Sequence, residues 1–412
     1  MLRPSTSEQE VTAQHKLLQT MAPNLTTASA LFLTDTEGSV IYPSAPQSLT
    51  SRKTQQHQSS QQELPSSGAA PYYEWSIVWR NVLAFIYLHG GALYGLYLVF
   101  TTAHPATFPW AFLVAGLAAL GVTAGAHRLW CHRAYKAKWP LRLILAILQT
   151  VAFQNHIYEW VRDHRVHHKF AETDADPHNS KRGFFFSHIG WLMVRKHPDV
   201  INKGRTVDMS DLLQDPIVVW QMRTYLVTLP LVCFVLPTWV PIYFWNEDPW
   251  TSWYVASILR YTLSLNLTWL VNSAAHIWGT RPFDKNISAT DNVPVAVMAF
   301  GEGWHNYHHA FPWDYKAGEL GNYRTNFSTG FIDMFAKIGW AYDLKTVSPE
   351  MIKRRAKRSG DGTYWGDLGV SGVPVGEGHD HEGSIWGWGD KDMPEEDIKD
   401  VLITHKSEVE TS

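Results

Sequence analysis

The sequence predicts an all-α integral membrane protein, with four transmembrane helices in two hairpins and a cytosolic helical cap. Three observations carry this. Four apolar runs of membrane-spanning length come in two pairs, each joined by a turn of a few residues. The turns at 101–106 and 246–249 contain no Lys or Arg, whereas 127–224 contains many. Histidines gather in spaced clusters close to where the apolar runs end.

Residues 1–70 are rich in Ser, Thr, Gln and Pro and have no sustained period, so a disordered cytosolic tail is expected there. No basic segment leads into an apolar one, so no secretory signal is expected. The first hairpin comprises spans at about 82–100 and 110–126, each close to the ~20 residues a helix needs to cross hydrocarbon. The second comprises about 225–245, with Pro230, Pro237 and Pro241, and about 250–271. By the positive-inside rule the turns face the lumen, and both termini and the cap, 127–224 plus 272–345, face the cytosol.

Within the cap, 140–153 carries an apolar stripe (Leu141, Ile144, Leu148, Val151) and reads as an interfacial helix. Residues 174–178 read as a turn. Phe184, Phe185 and Phe186 are a candidate membrane-surface contact. Arg260 lies inside the fourth span, where it is expected to snorkel or to pair with a carboxylate. Residues 346–412 form a polar C-terminal tail, its last 50 or so residues Gly- and acid-rich and weakly ordered.

Composition excludes several classes. A formal charge of −3 argues against nucleic acid as a partner. Two distant cysteines, Cys131 and Cys233, provide neither a disulfide framework nor a thiolate zinc site. Twenty Trp among 412 residues fit interfacial aromatic belts. The mean hydropathy of −0.19 averages polar tails with strongly apolar blocks, so the local windows decide.

The chemistry lies in the histidines. His164, His167 and His168 follow i, i+3, i+4 spacing, which falls within one sector of a helix. His305, His308 and His309 repeat it. His127 and His132 form a third pair, and His276 stands apart. Burying such clusters would leave polar atoms unsatisfied without a metal. Nine imidazoles exceed one mononuclear site, so they read as the cage of a two-metal centre. His89, His104, His188 and His197 read as ordinary hydrogen-bonded residues. A spacing of five puts His127 and His132 about 140° apart on an ideal helix, so the helix must end or unwind there. No His-Glu-x-x-His motif occurs, and structural zinc closes with four ligands, so iron fits better. Carboxylates should lie behind neutral ligands on two divalent ions. Glu159, Asp163, Asp174 and Glu302 are nearest in sequence.

These spacings, with Gly125-Ala126-His127-Arg128-Leu129-Trp130, Asp176-Pro177-His178-Asn179-Ser180, Asn272-Ser273-Ala274-Ala275-His276 and Gly301-Glu302-Gly303-Trp304-His305-Asn306, resemble the membrane acyl-CoA desaturases, the stearoyl-CoA desaturase group. The likeness covers about 72–342, within a desaturase domain at 71–345. It implies a four-span enzyme of the endoplasmic reticulum with two irons. Such an enzyme takes electrons from cytochrome b5 and its NADH-dependent reductase, and uses O2 to desaturate a saturated acyl-CoA, most often at carbons 9 and 10. The nine histidines would be ligands, with Asn272 acting through water. Asn81, Asn155, Arg162, Asp163, Arg195 and Lys196 would contact the coenzyme A head group, and Trp269 the acyl chain. His156 departs from the family pattern, which has Asp there. An unactivated methylene has no acidic proton, so a cofactor must carry hydrogen abstraction. Two other readings remain: a di-iron lipid hydroxylase with the same cage, and a non-catalytic membrane metal-binding protein.

Overall fold

The structure, a computed structural model, describes residues 74–319, 325–366 and 384–406. The expected N-terminal tail and the tail histidines His379 and His381 lie outside these residues.

Helix α1 (Trp79–Thr101) and helix α2 (Thr107–Cys131) form the first hairpin. Both are apolar over their length and present Leu83, Ile86, Leu93, Phe112 and Leu113 outward, as a lipid-facing surface requires. Helix α3 (Trp139–Ala152) begins with Pro140 in its first turn and ends at Phe153 in the left-handed region. It buries Leu141, Leu145 and Ala146 against α2 and leaves Trp139 and Ile147 exposed, the two faces expected of an interfacial helix. Contact with α2 depends on Gly121, where a Cβ would come within 2.2 Å of the Gln149 amide nitrogen. Helix α4 (Ile157–Phe170) follows, capped by His156, whose Nδ1 accepts from the Glu159 amide at 3.2 Å. Short helix α5 (Phe184–His188) leaves Phe184 and Phe185 exposed.

Helix α6 (Pro216–Trp245) starts nine residues before the expected span, capped by the Asp215 carboxylate. Its prolines create free carbonyls. Pro237 cannot donate to the Cys233 carbonyl one turn back, and Arg260 Nη2 donates to that oxygen at 2.5 Å instead. Pro241 likewise frees the Pro237 carbonyl, which accepts from Trp110 Nε1 at 3.0 Å. Helix α7 runs over 249–272 as three consecutive helical segments.

Among the described residues, α1, α2 and α6 are long and apolar enough to cross a membrane. The expected fourth span is helical but less apolar, because Ser257, Arg260 and Thr262 are buried inside the bundle and hydrogen-bonded there. Arg260 corrects the sequence expectation. It is buried and has no acidic partner among the described residues; it donates to the carbonyls of Ala256, Val151 and Cys233, which the irregular helices leave available. The two turns meet at one end of the bundle, where Glu247 accepts from the His104 amide at 2.9 Å and from the Thr107 hydroxyl.

Beyond α7 lie the short helices α8 (Ala274–Ile277) and α9 (His305–Ala310), then α10 (Phe327–Lys337). Strand β1 (Lys136–Ala137) pairs antiparallel with β2 (Ala341–Tyr342). Strand β3 (Leu344–Val347) pairs antiparallel with β4 (Val401–Thr404). Helix α11 (Pro349–Ser359) buries Met351, Ile352 and Ala356, so its basic run is a solvated face with partners: Arg354 on Asp400 and Arg355 on Asp284. The expectation of a weakly ordered C-terminal tail does not hold for 384–406. Trp386 and Met393 are buried there, and β4 completes a ladder with β3.

Candidate metal centre

The end of α2 sets the first pair of histidines. Gly121–Cys131 is a π-helix, and the His132 amide donates to the His127 carbonyl at 3.0 Å. This i→i+5 bonding brings residues five apart onto one side. The two rings lie 4.6 Å apart, which an α-helix would not permit. Helix α4 carries His164, His167 and His168, α8 carries His276, and α9 carries His305, His308 and His309. The first amides of α9 are satisfied by Asp291, whose Oδ1 accepts from Asn306 N at 2.9 Å and Tyr307 N at 3.2 Å.

All nine imidazoles meet, in two groups. His127, His132, His164, His168 and His308 form one, and His167, His276, His305 and His309 the other; within each group the nitrogens lie within 4.8 Å of one another. The simple sector argument needs correcting. Each triplet divides two to one, because neighbours such as His167 and His168 diverge, with ring planes 82° apart. The i, i+4 pairs stay together.

The outer hydrogen bonds fix which nitrogen faces inward. Asp176 Oδ1 lies 3.0 Å from His167 Nδ1 and can only accept, so that nitrogen carries the proton. The Trp386 carbonyl does the same for His132 Nδ1. Glu302 Oε2 lies 2.8 Å from His127 Nδ1. His276 Nδ1 has Ser288 Oγ at 2.9 Å and Glu172 Oε1 at 3.3 Å. In each neutral ring the Nε2 lone pair then faces the cluster. His132, His164 and His167 have buried Nε2 atoms without a hydrogen-bond partner among the described residues. His127 Nε2 and His168 Nε2 both crowd His308 Nε2, at 2.9 and 3.1 Å, though that atom could donate to only one of them. Each orphaned polar atom costs about 1–3 kcal/mol, so the array makes physical sense around cations. Burial, reinforced by neighbouring imidazoles, pushes His164, His168, His305, His308 and His309 well below the usual histidine range, toward the neutral form a metal needs. An all-imidazole donor set suits iron, copper or zinc.

Of the four carboxylates nearest in sequence, Glu302 stands behind one of the nine clustered histidines, whereas Glu159 lies beside His156; burial alone would raise the Glu302 pKa, but Arg128 and His127 hold it below the usual range. Asp174 is exposed and pairs with Arg182. Asp176 and Glu172 take the places that sequence proximity did not suggest. Both are held below the usual carboxylate range, against a burial penalty, by His167 and His276 respectively.

A family model of fatty acid desaturases matches residues 103–317. An acyl-CoA Delta-9 desaturase of Acheta domesticus is 57% identical over 93% of this chain and 98% of its own. The chain belongs to the fatty acid desaturase family. An acyl-CoA Delta12-desaturase of the same insect is also 57% identical, over 81% of this chain and 88% of its own. The human stearoyl-CoA desaturase 5 is 58% identical, over 69% of this chain and 86% of its own.

In this desaturase a cavity of about 410 Å³ opens beside both histidine groups. It runs between α2 (Phe112, Ala115, Ala119) and α7 (Leu265, Trp269, Asn272) and reaches His127, His164 and His305. Trp269, Asn155, Asp163 and Asn272 line it. Asp163 belongs to a cluster in which Arg162 lies 3.1 Å and Lys196 2.5 Å from it, with Glu159 behind both cations. Asn81 does not line the cavity; its Nδ2 donates to the Leu192 carbonyl at 2.7 Å. Nor does Arg195, whose amide donates to the Ser76 carbonyl at 2.9 Å.

Proposed function

We propose that this chain is a di-iron acyl-CoA desaturase of the endoplasmic reticulum membrane that introduces a double bond between carbons 9 and 10 of a saturated fatty acyl-CoA. One observation carries the reading: nine imidazoles converge in two adjacent groups beside a long, mostly apolar cavity. Helices α1, α2, α6 and α7 form the four spans, with the histidines and both termini cytosolic. The common position of the two turns at Glu247, and the bias of Lys and Arg, support this topology.

Two irons, each held by one histidine group, supply O2-dependent hydrogen abstraction when bound. Asn272, which lines the cavity together with His305, would take part through water. Removing two hydrogens yields two electrons, and reducing O2 to two waters takes four. Cytochrome b5, fed by its NADH-dependent reductase, supplies the remaining two, together with two protons from water. The protein contributes position and dryness. Trp160, Trp191 and Trp269 wall the cavity near the histidines, and Ala115 and Ala119 leave room for methylenes. At the charged end, Arg162, Lys196, Asp163 and Asn155 contact the head group, and Asn81 and Arg195 hold the adjoining segment against the start of α1. The cluster is charge-balanced as it stands, so a polyanion would bind by exchanging partners with Asp163 and Glu159.

Equal identity to relatives named for positions 9 and 12 leaves identity without weight on position. The nearly full-length match to the Delta-9 relative favours carbons 9 and 10. Expression in yeast lacking its own desaturase, followed by mass-spectrometric mapping of double bonds, tests this. We expect a 9-olefin; an 11- or 12-olefin moves the position, and an alcohol makes the protein a hydroxylase.

A further inference from the structure

His132 has an unusual outer partner. The groups behind His127, His167 and His276 come from residues 172–302. The group behind His132 is the main-chain carbonyl of Trp386, 254 positions along the chain and outside the matched residues 103–317. We propose that residues 385–390 act as a positioning strap for His132, keeping its ring in the Nδ1–H form with Nε2 aimed at the five-histidine group. This rests on the di-iron reading above.

Three bonds hold His132 at once. Its amide donates to the His127 carbonyl at 3.0 Å, its own carbonyl accepts from the Trp388 amide at 2.9 Å, and its ring donates to the Trp386 carbonyl. Gly387 lies between the two strap contacts with φ +149, and a Cβ there would come within 2.6 Å of the His132 carbonyl oxygen. No side chain fits at that point without moving the strap away from the histidine.

The strap is itself anchored. The buried Trp386 ring lies under the Arg165 guanidinium at 4.0 Å and beside that of Arg133 at 4.9 Å. Arg165 is fixed by Asp211 at 2.8 Å and by the Trp130 carbonyl at 2.8 Å, in the same turn as His132. Asp390 accepts from the Trp386 amide at 2.9 Å and pairs with Lys169 at 3.0 Å. Lys169 follows His168, so the strap spans the two elements that hold four of the five imidazoles. An outer hydrogen bond to a ligating imidazole is worth about 10–100-fold in metal affinity, so its loss should be felt at one iron only.

The test compares purified wild-type protein with Gly387→Val, Trp386→Ala and Trp386→Phe by iron content and by the rate of iron release to a ferrous chelator. Gly387→Val and Trp386→Ala, eluting as wild type on size exclusion, should release one of two irons at least about ten-fold faster and keep the other at the wild-type rate. Trp386→Phe, which retains a ring for the guanidinium groups, should fall between wild type and Trp386→Ala. Should Gly387→Val not be recovered intact, Lys169→Met, which cuts the tethers of α4 to Asp390 and Asp392 and leaves the strap sequence unchanged, should show the same selective acceleration. Wild-type release in these variants, or equal acceleration of both irons, overturns the strap. A wild-type chain without iron overturns the di-iron reading as well.

Discussion

Arg128 carries much of the order behind the imidazoles. It is buried and donates to Glu302 at 2.7 Å, Asn326 at 3.1 Å, Thr329 at 3.0 Å and the Tyr315 carbonyl at 3.0 Å. Replacing it with Met strands the Glu302 carboxylate behind His127, and breaking a buried pair in this way costs about 3–5 kcal/mol. Arg128→Met should therefore lower the melting temperature of the detergent-purified protein by several degrees and reduce its iron content. His167→Ala acts differently, since it removes one donor while leaving the helices intact. It should abolish turnover and lower iron below wild type while the protein still inserts; wild-type product formation would end the ligand assignment. The histidines were legible in the sequence because their type and spacing are unusual. Glu172, Asp176 and the Trp386 carbonyl were not. A lone acid has no signature, although Asp176 lies in a motif already noted beside His178, and a backbone carbonyl has no residue identity to read.

At the scale of elements, hydrophobic length revealed the hairpins but not their irregularities. The π-helix at Gly121–Cys131 has no hydrophobic period of its own, and only the five-residue histidine spacing hinted that the helix must unwind. The prolines of α6 are visible in the sequence, yet the two carbonyls they free are binding points for Arg260 and Trp110, which only the fold brings near. The polar face of α7 lowered its hydropathy for the same reason, since those groups find partners inside the bundle. The crossing of α2 and α3 gives a prediction here. A side chain at Gly121 meets the α3 backbone at 2.2 Å, so Gly121→Leu must force the helices apart. Overpacking of this kind costs about 1–3 kcal/mol. It should appear as a lower melting temperature together with weakened iron retention, because the same helix carries His127.

At the scale of the whole molecule, the cavity joins the charged cluster at Asp163, the histidines and the interior of the helix bundle along one path. Along α2, Ala119 and Ala115 lie progressively farther from His127, so their size should limit how much acyl chain fits. Ala115→Trp should shift the products of yeast expression toward shorter unsaturated chains, measured by gas chromatography, with double-bond position unchanged. An unaltered chain-length profile would mean that the acyl chain takes another route. The central claim, that two imidazole groups hold a pair of irons, is tested most directly by elemental analysis of the purified wild-type chain. The account predicts about two irons per chain and little zinc; zinc in place of iron, or a single metal shared by all nine histidines, would contradict it.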